Sequence, residues 1–320
     1  MTKRRVFSIL IALLVALMAC SLVTGEVIEP EVPAVETNLP SDAATLHPTS
    51  PTSEEPTSPP PPTQEALATP ERTPDRVPEF GVILVSEGDV LNVRSGPGVE
   101  NGIIDTLDPH AIGITMTGNR QKVDTSMWVE IETLSGTMGW VNAHFLTEIV
   151  DNNVFCDDPE VTSLIDKFIS AIQTRDGNVA SQLVSPIDGL TIRVSWWNPE
   201  VTFSAKEMNR IFENPATYDW GTQDGSGFPI QGTFSDEILP WMDDILNVEY
   251  SQHCNDLDNG SGPSAGFVIW PFEYQNINYF AIYRSAPADQ ELDWRTWAIG
   301  ISYHKGKPYI AFMVQYHWEI

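Results

Sequence analysis

The chain has 320 residues, with 44 acidic against 17 basic side chains and a net charge of -27. That balance argues against nucleic-acid binding, which needs Lys and Arg to neutralise phosphates, and against adsorption to anionic lipid, which needs a polybasic patch. Three cysteines are too few for a disulfide-dense scaffold or a four-cysteine zinc site, and a length of this order predicts roughly two domains.

The N-terminus reads as an address. Lys3-Arg4-Arg5 is a positive cluster, and Val6 to Ala19 is an apolar run of 14 residues broken only by Ser8. A membrane-spanning helix needs about 20 such residues, so the run suits the apolar core of a signal peptide instead. It ends in Leu17-Met18-Ala19-Cys20, which resembles the lipobox of bacterial lipoproteins. The resemblance implies a signal peptide over 1–19 and a mature chain acylated at Cys20. The chain would then sit at the cell membrane, lipid-anchored and facing the extracytoplasmic side. Each buried methylene contributes about 0.8 kcal/mol, so several acyl chains, palmitate among them, hold a protein without a spanning helix.

Residues 20–79 are expected to be a disordered Pro/Ser/Thr-rich linker. Positions 21–79 hold 13 Pro and 14 Ser or Thr and no Phe, Trp or Tyr. Such a stretch cannot bury enough apolar surface to offset its ordering entropy.

At Phe80 the pattern changes to alternating apolar residues and turn glycines. Leu91-Asn92-Val93-Arg94 alternates with period two and is broken by Ser95-Gly96-Pro97-Gly98; Trp128 to Thr133 alternates again; Gly136 to Gly139 turns into Trp140-Val141, and Phe145-Leu146 closes the segment. The run LNVRSGPG, then W-V-x-I-x-T, G-x-x-G-W-V and F-L, resembles the bacterial SH3 (SH3b) domain. It covers about 70 residues, a fifth of the chain. The resemblance implies a small all-β SH3-like barrel over 80–150, of the kind that often binds peptidoglycan peptides or other envelope polymers. Asn92, Arg94, Trp128 and Trp140 are the candidate ligand-binding residues. For the two tryptophans a place in the core is the simpler expectation, and for Asn92 and Arg94 a role in tying down the adjacent turn.

Residues 151–320 predict a separate α+β domain, helices first and an antiparallel sheet last. Asp158-Pro159-Glu160 is a helix start, followed by Val161, Leu164, Ile165, Phe168, Ile169 and Ile172 at helical spacing. Asn178 is the expected cap of a second helix. Ser204 to Glu207 has capping-box spacing, and another helix is expected from Ser235 through Ile245. Ala265 to Phe272, Ile277 to Arg284, Thr296 to His304 and Tyr309 to Trp318 read as four strands, the last two joined at Lys305-Gly306-Lys307. The order is loosely similar to NTF2-like folds, in which helices cover a curved sheet.

Outside the cytoplasm, Cys156 and Cys254 are most simply a disulfide. The alternative is a catalytic Cys with His253, His304 or His317. Asp256-Leu257-Asp258-Asn259-Gly260 departs from a calcium loop, with Gly at position five and Phe267 at position twelve, and reads as a turn. No phosphate loop, nucleophile elbow or zinc-protease motif is present, and no metal or cofactor is expected. Eight of the ten tryptophans lie here, and the adjacent Trp196-Trp197 should place one ring outward. The expected function is non-catalytic binding of cell-wall polymer or peptide by an anchored envelope protein. The alternatives are an envelope hydrolase with its site in 151–320, and an extracytoplasmic scaffold or sensor that binds another protein.

Overall fold

A computed structural model describes residues 78–319. The expected signal peptide, Cys20 and almost all of the expected linker lie outside the described residues. Among the described residues two sheets hold thirteen of the fifteen strands, and both fall within one compact unit.

The first sheet has seven strands: β1 (Glu79–Val82), β2 (Leu91–Arg94), β3 (Ile103–Leu107), β4 (Ile114–Val123), β5 (Ser126–Glu132), β6 (Met138–Asn142) and β7 (Leu146–Glu148). Its spatial order is β3-β2-β6-β5-β4-β1-β7, with every pair antiparallel. Period-two alternation sends Val82, Leu91, Val93, Ile114, Val129, Ile131 and Val141 into one apolar cluster. The polar residues between them face outward. Gly98, at φ 115°, turns the chain after β2 in a conformation that a side chain would strain.

The second sheet has six strands in the order β12-β13-β14-β15-β8-β9. These are β8 (Leu190–Val194), β9 (Glu200–Phe203), β12 (Ser251–Cys254), β13 (Asn278–Arg284), β14 (Arg295–His304) and β15 (Lys307–His317); β10 (Tyr218–Thr222) and β11 (Pro229–Gly232) form a separate hairpin. All neighbours run antiparallel except β15 and β8, which run parallel. Five α-helices accompany it: α1 (Asn152–Cys156), α2 (Pro159–Gln173), α3 (Gly177–Leu183), α4 (Ala205–Met208) and α5 (Leu239–Leu246).

Local signals place several of these elements. The Asp158 carboxylate accepts from Glu160 N at the start of α2, with Pro159 at the first helical position. Ser204 and Glu207 complete a reciprocal capping box on α4. The α3 cap is Asp176, whose carboxylate accepts from Val179 N, two residues before the expected Asn178. Lys305 and Gly306, at φ 55° and 71°, make the tight turn between β14 and β15.

The expected order of helices first and sheet last needs correction. The strands β8 to β11 interrupt the helices, and β8 joins the sheet beside β15 in parallel. That pairing requires a long crossover, so it leaves no hairpin signature in the sequence. Residues 265–272 form no strand; β12 takes the edge place beside β13. Pro271 lacks a backbone donor, and Trp270 instead lies over the sheet, stacked on Tyr279 at 4.5 Å with its Nε1 donating to Tyr274 O at 2.7 Å.

Both faces of the second sheet are covered. Ile192, Phe280, Ile282, Trp297, Ile299 and Met313 pack under the helices. Tyr279, Ala281, Ala298, Phe312, Val314 and Tyr316 pack under Trp270, Tyr274 and Trp294, and Ile83 from the first sheet's segment joins that cluster. Backbone and side-chain hydrogen bonds reinforce the junction. Leu84 N donates to Glu273 O at 2.8 Å, Asn276 Nδ2 to Val82 O at 2.8 Å, and Asn278 Nδ2 to Val150 O at 2.8 Å. The Glu148 carboxylate accepts Lys305 N and Gly306 N at 2.6 and 2.8 Å.

Cys156 and Cys254 are joined as a disulfide, with Cα atoms 5.7 Å apart. The bridge ties α1 to the edge strand β12. Among the described residues it leaves no thiol to act with a histidine, and His253 Nε2 shares a hydrogen bond with Ser251 Oγ at 2.8 Å.

Candidate functional site

Two surfaces concentrate chemically capable side chains. The first is the outer face of the seven-stranded sheet. Arg94 on β2 lies opposite Trp140 on β6, and Trp140 lies opposite Glu130 on β5. The three form a row across three strands, all half-buried. Ile103, opposite Arg94, extends the row with 54% exposure, and Met138 stands beside Trp140 on the same face of β6.

Arg94 also organises its own turn. Its Nη1 donates to Val99 O at 2.9 Å and Asn101 O at 2.8 Å, and Asn101 Nδ2 donates to Pro97 O at 2.8 Å. Glu130 accepts from Asn119 Nδ2 at 2.7 Å and Thr117 Oγ1 at 2.8 Å. These bonds, Asn119 foremost, hold its carboxyl below the usual range. Asn92 shares the face, two residues before Arg94 and opposite Thr106. Trp128, two residues before Glu130, is only 6% exposed and offers little surface. The four sequence candidates thus share one face, with Arg94 and Trp140 brought opposite one another. Glu130, Ile103 and Met138 were missed; period-two alternation places Glu130 and Met138 there, whereas Ile103 reaches the face through the register shift in the β2–β3 pairing.

The second surface is a groove at the end of the second sheet where β15 finishes. Ser195, directly after β8, is 1% exposed and held at φ 57°. Its N–H donates to Gln315 O at 2.9 Å and its hydroxyl donates to the buried Glu319 carboxylate. His317 Nδ1 meets Gln315 Oε1 at 3.0 Å, and its ring lies 6.2 Å from that of Trp241 on α5. Asn198 pins the β10–β11 hairpin by exchanging bonds with Thr222 N and O at 2.9 and 3.0 Å. Arg295 pairs with Asp293 at 2.8 Å. Trp197 is the exposed member of its pair at 38%, while Trp196 packs against the second sheet's cluster.

Serine, histidine and a carboxylate therefore meet here without forming a nucleophile–base pair. The Ser195 proton goes to Glu319, and among the described residues no hydrogen bond joins Ser195 to His317. At the turn after β12, Asp256 spends both carboxylate oxygens on Asn259. Among the described residues no group of three or more His, Cys, Asp or Glu is arranged to hold a metal ion.

Burial, followed by the nearby Arg295 charge, lowers the His317 pKa below 6.5. The native ring therefore resists a proton that the unfolded chain accepts. Stability holds above pH 6.5, declines as pH falls through that value, and levels off below the folded pKa. The loss is at most about 1.4 kcal/mol for each pH unit of the shift. Urea unfolding of wild type against H317Q between pH 7.5 and 5 should show wild type losing stability relative to the variant.

No protein-family model matches the chain, and no curated protein matches it. Among solved structures, the chain is similar to Rv3472, described as a function-unknown protein from Mycobacterium tuberculosis. That match is 12% identical over 49% of this chain and 69% of the other, with a TM-score of 0.20.

Proposed function

We propose that this is an extracytoplasmic protein, anchored through acylated Cys20 and carrying an SH3b-like barrel over 80–150, that binds cell-wall polymer or its peptides without cleaving them. The row of Arg94, Trp140 and Glu130 beside exposed Ile103 supports this reading. It sets a cation, an aromatic face and an anion in line across three strands. An extended chain carrying amino, carboxylate and amide groups would meet complementary partners along that line. The strongly acidic total charge accords with a partner other than an anionic surface.

The test is a pull-down of the full chain with insoluble peptidoglycan, reading both bound protein and released soluble fragments. Retention without release is expected, with W140A lowering affinity at least about fivefold, near 1 kcal/mol. Release of fragments would overturn the reading in favour of a hydrolase. Equal retention of wild type and W140A would remove the face from it. Mass spectrometry of the N-terminal peptide tests the anchor: an uncleaved leader or a bare Cys20 contradicts it.

A further inference from the structure

We propose that the groove beside His317 is a saccharide-binding site, separate from the Arg94–Trp140 face and not dependent on what that face binds. Two depressions meet there, of about 240 and 470 Å³, and Arg295 and His317 line both. Trp241 lines the smaller and Trp318 the larger, so the groove runs from one indole to another around the end of the sheet. The smaller depression lies just below the usual range of ligand pockets, about 300–1,000 Å³, and suits one sugar ring. The larger is open and lets further rings extend out past Leu292.

Three features select a sugar over other ligands. Both tryptophans are half-buried, so each is fixed by packing while keeping part of its surface open. The C–H face of a pyranose packs against such a ring. The smaller depression, beside Trp241, is rich in neutral polar groups, Thr222, Gln223, Asn198, Gln315 and Ser195, and the larger adds Gln290 with the carboxylates of Glu291 and Asp293. Thr222 Oγ1, Gln223 Nε2 and His317 Nε2 make no hydrogen bond among the described residues. Because Gln315 Oε1 faces His317 Nδ1, the neutral ring carries its proton on Nδ1 and leaves Nε2 as an acceptor. A hydroxyl that both donates and accepts satisfies such a set.

The third feature is charge. Arg295, the cation of the lining, faces three carboxylates there, Asp293, Glu291 and Asp224, and Asp293 at 2.8 Å is shared with Arg284 at 3.3 Å. Carboxylates outnumber arginines three to two even with Arg284 counted, so the groove disfavours a phosphate or carboxylate. The buried floor of Ser195, Asn198 and Gln315 is 1–3% exposed and bonded to neighbouring groups, so the site is held in shape before ligand arrives.

The probe is a soluble β-1,4-linked N-acetylglucosamine trimer, titrated into the full chain with tryptophan fluorescence and calorimetry as readouts. Saturable binding is expected, with W318A weakening it at least about tenfold. Leu292→Glu, at a rim position 46% exposed, serves should the Trp variant fail to fold, with a loss of at least about fivefold expected. Leu134→Ser, in a turn of the first sheet and 81% exposed, should bind as wild type does. No saturation up to about 10 mM trimer overturns the proposal. So does equal binding by wild type and L292E, or displacement of the trimer by inorganic phosphate. Failure of the peptidoglycan pull-down leaves the groove standing, because the groove's readout is a soluble sugar and Trp318 and Leu292 line a depression beside the second sheet.

Discussion

Opening the Cys156–Cys254 bridge will lower the stability of the folded unit by about 4–5 kcal/mol. The two cysteines are 98 residues apart, and a cross-link of that span removes this much loop-closure entropy from the unfolded chain. The native state reinforces the figure, because the bridge clamps α1 onto β12, an edge strand paired only with β13. Cys156 and Cys254 are half-buried against the core beneath the helices, so serine replacements also lose some packing. Guanidinium unfolding of the oxidised chain, the reduced chain and C156S/C254S provides the measurement. The reduced chain and the double variant should unfold at similar, much lower midpoints. A difference under about 1 kcal/mol between oxidised and reduced chains would show that the bridge constrains little.

Replacing Arg193 by Met will cost about 3 kcal/mol and lower the melting temperature by about 6–12 °C. Arg193 leaves β8 and passes beneath the short turn at Phe272–Tyr274. Its Nε donates to Asn198 O at 2.7 Å, its Nη1 to Glu273 Oε1 at 2.6 Å, and its Nη2 lies 4.0 Å from Glu200 Oε1. The Tyr274 hydroxyl donates to Glu200 from a ring that is 1% exposed. Burial first, then the Glu200 charge, drives the Tyr274 pKa well above the usual range, so the phenol keeps its proton and remains a donor.

Removing the guanidinium leaves two carboxylates facing each other across a site where Arg193 is 14% exposed and Glu273 22%. The same turn receives Leu84 N through Glu273 O, so the loss reaches the junction between the sheets. Thermal unfolding of R193M against R193M/E273Q separates the causes. The double variant should recover part of the loss, because it removes the stranded charge. Equal stability of wild type and R193M would show that solvent screens the cluster completely.

Much of the local structure was legible in the chain. The start of α2 at Asp158-Pro159, the capping box at Ser204, the β14–β15 turn at Lys305-Gly306 and the alternation of β2 and β5 rest on contacts within a few residues. Such contacts leave their pattern in the sequence around them. Asn92, Arg94 and Trp140 were named from the sequence, but that they share a face with Glu130 came from the strand pairing. The pairing of Cys156 with Cys254 followed from counting thiols.

The non-local arrangement was not legible. Leu190-Thr191-Ile192-Arg193-Val194 carries nothing that names β15 as its partner, because a parallel pair is set by a long crossover. The stretch 265–272 looked like a strand for its apolar content, yet Trp270 lies over the sheet, where both indole packing and its Nε1 bond are satisfied. The groove at His317 draws on β8, β14, β15, α5 and the β10–β11 hairpin, segments up to about 120 residues apart. What the sequence by itself determined is which residues alternate, turn, cap and cross-link, since those depend on near neighbours and residue type. What only the tertiary structure decided is which polar side chains share a surface, because that depends on strand order in the sheet, and strand order is fixed by burying both faces at once.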